Sequence, residues 1–250
     1  MPKKASEEMG FLDHLEELRW RLIKILGSIV IVGAISFSFI DQILAILLYP
    51  TTQVKNSLNL QVLTIQGMFM IKWSIALITG IIGSIPVLTY QLWKFVAPGL
   101  YLDEKKYAMP LVIFTFVSFS VGVIFAYMVI IPFSLEFFTS MGYGDVQNNY
   151  SINYYFSFMT WILLGSGFIF LLPVVSFFFS VIGLLTPPFM RHYRRHAIVT
   201  IMIISSFITP PDPVSMLVMA LPLSLLYELS IGVSWFVLKG KREKKVENEE

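Results

Sequence analysis

The chain has 250 residues, 56% of them hydrophobic and only 14% charged, and its mean hydropathy is +0.74. Soluble domains carry roughly 25% charged residues, so this chain lacks the polar side chains to cover a globular surface, and a soluble enzyme is excluded. Cysteine is absent, which removes disulfides, thiolate metal sites and cysteine nucleophiles. The net charge of +2 is uninformative beside the way the charges are distributed.

Lys3, Lys4, Glu7, Glu8, Asp13, Glu16, Glu17, Arg19 and Arg21 precede any apolar run. A secretory n-region is short and basic, so no cleavable signal peptide is expected. A membrane-crossing helix needs roughly 20 apolar residues, because backbone groups cannot stay unpaired in hydrocarbon. Gaps between charges place the spans at about residues 22–40, 73–93, 107–135, 154–185, 197–211 and 214–238. Between the first two lies Asp41–Lys72, whose apolar patch Leu58–Ile65 is expected to fold over the helices. Polar Gln147-Asn148-Asn149-Tyr150 opens the way to the fourth span. Thr209-Pro210-Pro211-Asp212-Pro213 must turn, because proline removes donors and bars helical geometry before each ring. The fifth and sixth helices are therefore a tight hairpin and are expected to be short. The uncharged run before the turn has 15 residues and reaches about 22 Å, less than the roughly 30 Å of hydrocarbon. Pro86, Pro110, Pro132, Pro173 and Pro222 fall in or near spans, where proline is tolerated and bends helices. The tail 239–250 is mixed in charge and expected to be disordered, and no internal repeat is evident.

Six spans put both termini on one side. That side holds sixteen of the eighteen basic residues, in four groups around Lys3–Lys24, Lys94–Lys106, Arg191–Arg195 and Lys239–Lys245; only Lys55 and Lys72 fall opposite. The positive-inside rule makes it the cytoplasm. An all-α integral membrane protein in one domain, residues 1–250, is the expected fold class.

Enzyme signatures are missing: no phosphate-binding P-loop, no His-Glu-x-x-His, no Gly-x-Ser-x-Gly. His192 and His196 have metal-pair spacing but lie in an arginine-rich loop without a third ligand, and a solvated face is the better reading. Gly142-Tyr143-Gly144-Asp145 resembles an intramembrane aspartyl protease fragment, without a second aspartate in a span. Asn149-Tyr150-Ser151 matches a glycosylation acceptor too common to carry weight. No metal, cofactor or nucleic-acid partner is expected. Glu228 is the one clear charge inside a span, where charge is costly and marks function by default; the competing reading is a hydrogen bond within the bundle or a hydrated leaflet. In His14-Leu15-Glu16-Glu17-Leu18-Arg19, Leu15, Leu18 and Leu22 share a face while Glu17 faces elsewhere and can pair with Arg21 four residues on. Asp103-Glu104-Lys105-Lys106 reads by itself as first-turn acid complementing a helix dipole, and Asp212 as a cap for the helix after it.

His14–Arg19, Pro86-Val87-Leu88-Thr89-Tyr90-Gln91-Leu92-Trp93-Lys94-Phe95-Val96-Ala97-Pro98-Gly99-Leu100-Tyr101, Phe125-Ala126-Tyr127, Thr209-Pro210-Pro211-Asp212 and Pro222-Leu223-Ser224-Leu225-Leu226-Tyr227-Glu228 together resemble the TatC family, from about Leu12 to Leu238. TatC is the multi-spanning receptor subunit of the twin-arginine protein translocase. The resemblance implies six helices in a cupped, glove-like bundle with cytoplasmic termini, in the cell membrane of a bacterial-type cell. It implies binding of signal peptides with paired arginines on folded cargo, and recruitment of small single-span TatA/TatB-type subunits. Export would be driven by the proton-motive force, and the chain, too small to enclose a pore, would act as an oligomer in a larger complex. Glu17 and Glu104 match positions associated with cargo recognition, with Arg19, Phe95 and Pro98 beside them. Pro50, Tyr127, Asp212 and Glu228 match positions with structural or partner-contact roles. Many relatives carry Glu or Gln where Leu171 stands, and a polar residue where Met216 stands, so this chain's concave face is expected to be more apolar. A small-solute permease is the alternative, but it would want several polar groups near midplane.

Overall fold

The computed structural model describes residues 11–54, 58–96, 108–141, 149–209 and 213–247. Glu104, Pro98 and Asp212, with the Pro-Pro-Asp turn and Gly142–Asp145, lie outside the described residues. The helices are α1 (Phe11–Ser38), α2 (Ile40–Gln53), α3 (Gly67–Gly83), α4 (Ile85–Val96), α5 (Ala108–Phe125), α6 (Ile131–Ser140), α7 (Ile152–Ile169), α8 (Leu172–Val181), α9 (Pro187–His192), α10 (Arg194–Ile208) and α11 (Pro213–Glu247). A π-helical turn, Ala126–Ile130, joins α5 to α6.

Prolines set most of the breaks. A proline leaves the carbonyl four residues earlier without its donor and clashes with the turn behind it. Pro86 stands at the start of α4, where α3 and α4 bend by 50° about Ser84. Pro132 follows the π turn, and Pro173 opens α8 after an interruption at Phe170–Leu171. Pro222, by contrast, lies inside α11 without ending it.

Among the described residues, α1, the α5–α6 helix, α7–α8 and α11 are each long and apolar enough to cross a membrane, and the bent α3–α4 pair makes a fifth span if counted as one. The 15-residue α10 is shorter than these, as the sequence suggested for the fifth span. Three expectations need correction. The last helix is not short: α11 runs 35 residues, and it continues helical through Glu247, where a disordered tail was expected. Once a helix exists, adding residues needs no new nucleus, and Lys, Arg and Glu are good helix formers, so mixed charge does not stop it. The outer segment Asp41–Lys72 does pack on helices, but through α2, which buries Ile40, Leu44 and Pro50. Its apolar patch stays largely in the open, with Leu63 and Ile65 exposed. Within that patch strand β1 (Asn59–Gln61) pairs in parallel with β2 (Asn149–Ser151), which carries the Asn149 acceptor motif.

The chain packs as two units. The first comprises residues up to 116 and 125–164. In it α1 crosses α3 at a point made of small residues: a Cβ on Gly80 would stand 2.7 Å from the Ile29 carbonyl oxygen, and one on Gly33 would stand 3.3 Å from that of Ala76. In the second unit, residues 117–124 and 165–250, the Ser166 hydroxyl donates to the Gly122 carbonyl at 2.9 Å, and Phe168 meets Phe119 edge-on. There α8 and α11 are joined by a Ser180–Ser234 hydroxyl pair at 2.8 Å. Hydroxyls recur at these contacts because small polar side chains let apolar helices approach closely and bond across the gap.

Candidate signal-peptide site

Glu17 and Arg21 lie one turn apart on α1, the pairing their spacing allows. The Arg21 Nε donates to Glu17 Oε1 at 3.1 Å and its Nη2 donates to the same oxygen. Arg21 is buried, 9% exposed, and reaches with Nη1 to Gln91 Oε1 at 3.3 Å, which ties α1 to α4. Glu17 Oε2 is also buried and has no hydrogen-bond partner among the described residues, while His14 Nδ1 stands 3.6 Å away. The His14 ring lies flat on Phe95 of α4, centroids 4.2 Å apart and planes 12° from parallel. Arg19 points to the exposed side of α1. The fold thus brings Glu17 and Phe95 into one cluster with His14, Arg21 and Gln91, and leaves Arg19 outside it.

Reasoning from sequence gave Glu17, its Arg21 partner and Phe95, but assigned nothing to His14 or Gln91. Both lie inside the quoted motifs. Their separation along the chain, 70 residues from Arg21 to Gln91, kept the contact from view.

Pro50 and Tyr127, matched separately, turn out to be parts of one device. Pro50 sits inside α2 and has no N–H for the carbonyl of Ile46, four residues back. The Tyr127 hydroxyl donates to that carbonyl at 2.7 Å. Tyr155 donates to the next carbonyl, that of Leu47, also at 2.7 Å. Tyr127 belongs to the π turn, a local widening that is often found at functional positions.

Glu228 is neither unpaired nor deeply buried. Its Oε2 accepts from Arg194 Nη2 at 2.6 Å, with both side chains about half exposed, and neighbouring Tyr227 donates to the Met190 carbonyl at 2.8 Å. This is a hydrogen bond within the bundle, one of the two readings the sequence left open. Because both side chains are about half exposed, Glu228→Ala is expected to lower unfolding stability by no more than about 1 kcal/mol, measured by denaturant titration in detergent. Leu171 is half-buried at the break between α7 and α8, and Met216 half-buried in the first turns of α11, so neither supplies a polar group. No group of acidic residues and histidines fit to hold a metal occurs among the described residues.

Between α3 and α7 lies an open cavity of about 420 Å³, with Ile75 and Trp161 in its wall and Ser74, Asn153, Ser157 and Thr160 as polar groups. It is separate from the Glu17 cluster, and most of its wall is apolar.

The family profile described as "Sec-independent protein translocase protein (TatC)" matches residues 13–222. A TatC from Halothiobacillus neapolitanus is 36% identical over 96% of this chain and 67% of its own length. One from Helicobacter pylori is 39% identical over 90% of this chain and 87% of its own. A crystal structure of the twin-arginine translocase receptor TatC superposes with a TM-score of 0.78 at 32% identity, covering 90% of this chain and 99% of that one. The chain therefore belongs to the TatC family: it is the receptor subunit of a twin-arginine translocase, a multi-pass membrane protein that carries proteins and is not an enzyme.

Proposed function

We propose that the chain reads the paired arginines of export signal peptides at the Glu17 cluster, on the cytoplasmic side of a bacterial-type cell membrane. The observation that carries this reading is the Oε2 of Glu17, without a hydrogen-bond partner among the described residues, next to a His14 ring that is stacked on Phe95. A guanidinium is planar, always charged, and satisfied by a carboxylate edge and an aromatic face together. Arg21 already neutralises Glu17, so one carboxylate cannot balance an incoming arginine. A second is required, and Glu104 is the candidate. By the family resemblance Pro98 and Arg19 are assigned neighbouring roles, Arg19 from the exposed side of α1. The apolar part of the signal peptide enters the recess between α3 and α7.

In this reading α10 is a sixth, short span crossing a thinned bilayer, and the sixteen basic residues hold both termini in the cytoplasm. Single-span TatA/TatB-type subunits dock on the chain, several copies assemble in the complex, and export runs on the proton-motive force. With apolar Leu171 and Met216, docking rests on packing more than on buried hydrogen bonds.

Glu17→Ala and Glu104→Ala should each weaken crosslinking of a paired-arginine peptide to the membrane-embedded chain about tenfold or more, the loss of a charge-assisted hydrogen bond. Unchanged crosslinking in both variants would remove the site assignment.

A further inference from the structure

Glu17 spends one oxygen and holds the other in reserve. Oε1 takes two donors from Arg21, while Oε2 is shut away from water without a hydrogen bond among the described residues. A carboxylate oxygen has room for more than one donor, so Oε2, with only the His14 ring near it among the described residues, is open to a new one. What covers Oε2 is His14, with Nδ1 at 3.6 Å, too long for a hydrogen bond, and with its ring stacked on Phe95 at 4.2 Å. An imidazole in that position has the flatness and rough size of a guanidinium. A guanidinium lying on the same Phe95 face would aim its in-plane N–H groups at the same oxygen.

We propose that His14 is an exchangeable placeholder for a cargo arginine. The guanidinium displaces the imidazole from Phe95 and donates to Glu17 Oε2, while Arg21 keeps Oε1 and Gln91 keeps Arg21 in position. No bond is made or broken beyond hydrogen bonds. His14 is half-exposed on the first turns of α1 and can swing outward without disturbing the buried Arg21. The exchange predicts that the site favours arginine over lysine: an ammonium is compact and strongly hydrated and gains less from the ring face. The proposal rests on the reading of Glu17 as the arginine receptor.

The test is equilibrium binding of two fluorescent peptides, one with paired arginines and one with paired lysines, to the full chain in detergent, with His14→Ala, Phe95→Leu and Glu17→Gln variants. His14→Ala should bind the arginine peptide about two- to fivefold tighter, because the competitor for the Phe95 face is gone. Phe95→Leu should bind it more weakly and reduce the arginine-to-lysine affinity ratio by a similar factor. In the wild-type chain, the arginine peptide should raise the rate at which diethyl pyrocarbonate modifies His14, read by mass spectrometry. A His14→Ala variant that binds more weakly, a ratio untouched by Phe95→Leu, or a His14 that the bound peptide protects would each overturn the exchange. If Glu17→Gln binds the arginine peptide as the wild type does, the receptor reading fails and takes the exchange with it. If Glu17→Gln weakens binding and His14→Ala weakens it too, only the exchange fails.

Discussion

Gly80→Leu should abolish accumulation of the folded chain, and even Gly80→Ala should cost about 1–3 kcal/mol of stability, the range for overpacking a tight contact. The Cβ of an alanine would stand 2.7 Å from the Ile29 carbonyl oxygen and 3.0 Å from both the nitrogen and the Cα of Gly33. All three neighbours are backbone, so no side chain can swing aside, and α1 and α3 must move apart. In lipid there is no hydrophobic force to hold them once packing is lost, because lipid tails are as apolar as the helices. The consequence reaches the candidate site. Glu17 and Arg21 ride on α1, whereas Gln91 and Phe95 ride on α4, attached to α3 by the bend at Ser84. Separating α1 from α3 therefore pulls His14 off Phe95 and Arg21 off Gln91, so whatever Gly80→Ala protein folds should also bind the arginine peptide weakly. Gly27 is the control: it lies on the same α1, and a Cβ there meets nothing within 4 Å. Gly27→Ala should be neutral or stabilising by up to about 1 kcal/mol, the helix propensity difference. Unfolding titrations of the two alanine variants, with peptide binding on the same samples, give the comparison. Equal stability of the two would show that the α1–α3 contact yields more readily than its geometry implies.

How much of this could be read in the sequence follows from the range of the interactions involved. Charge-free runs located α1, α7–α8 and α11 because hydrocarbon penalises every exposed polar group along twenty residues, a signal written locally. Glu17 with Arg21 was legible for the same reason, a spacing of four on one helix. The π turn left a hint in Pro132, but nothing local says that the widened turn sets Tyr127 against Ile46, 81 residues away. The β1–β2 ribbon is three residues on each strand with no alternating pattern to find. The helix α2 was hidden because its 14 residues are too few for a span and sit in a segment judged by its apolar patch. His14 and Gln91 share this fate: each is ordinary on its own helix, and the contact that gives it meaning belongs to the α1–α4 packing.

Tyr127→Phe should destabilise the chain by about 0.5–1.5 kcal/mol, and Pro50→Ala should remove most of that cost. The ring stays, so the loss isolates one hydroxyl, whose bond to the Ile46 carbonyl is 2.7 Å long. That carbonyl depends on it because Pro50 cannot donate the N–H that an α-helix would place there. The bond is exposed, so the loss is that of an ordinary intramolecular hydrogen bond, about 0.5–1.5 kcal/mol, with no buried-acceptor penalty added. Alanine at position 50 restores the amide, the helix satisfies Ile46 internally, and the tyrosine hydroxyl becomes dispensable. Pro50 is buried, so Pro50→Ala also loses packing, and its own effect on stability has no simple sign. The double-mutant cycle is immune to this, since packing lost by Pro50→Ala appears in both backgrounds and cancels. The expected coupling is about 0.5–1 kcal/mol, in the sense that the second substitution relieves the first. Tyr155 supplies the contrast. It donates to Leu47, whose usual donor is Thr51 and not a proline, so Tyr155→Phe should show no such coupling to Pro50→Ala. Additive Tyr127 and Pro50 effects would mean that Ile46 finds another donor. A coupled Tyr127 with an uncoupled Tyr155 would establish that a proline in one helix is held in place by a hydroxyl from another, which is why the two residues belong together in the fold.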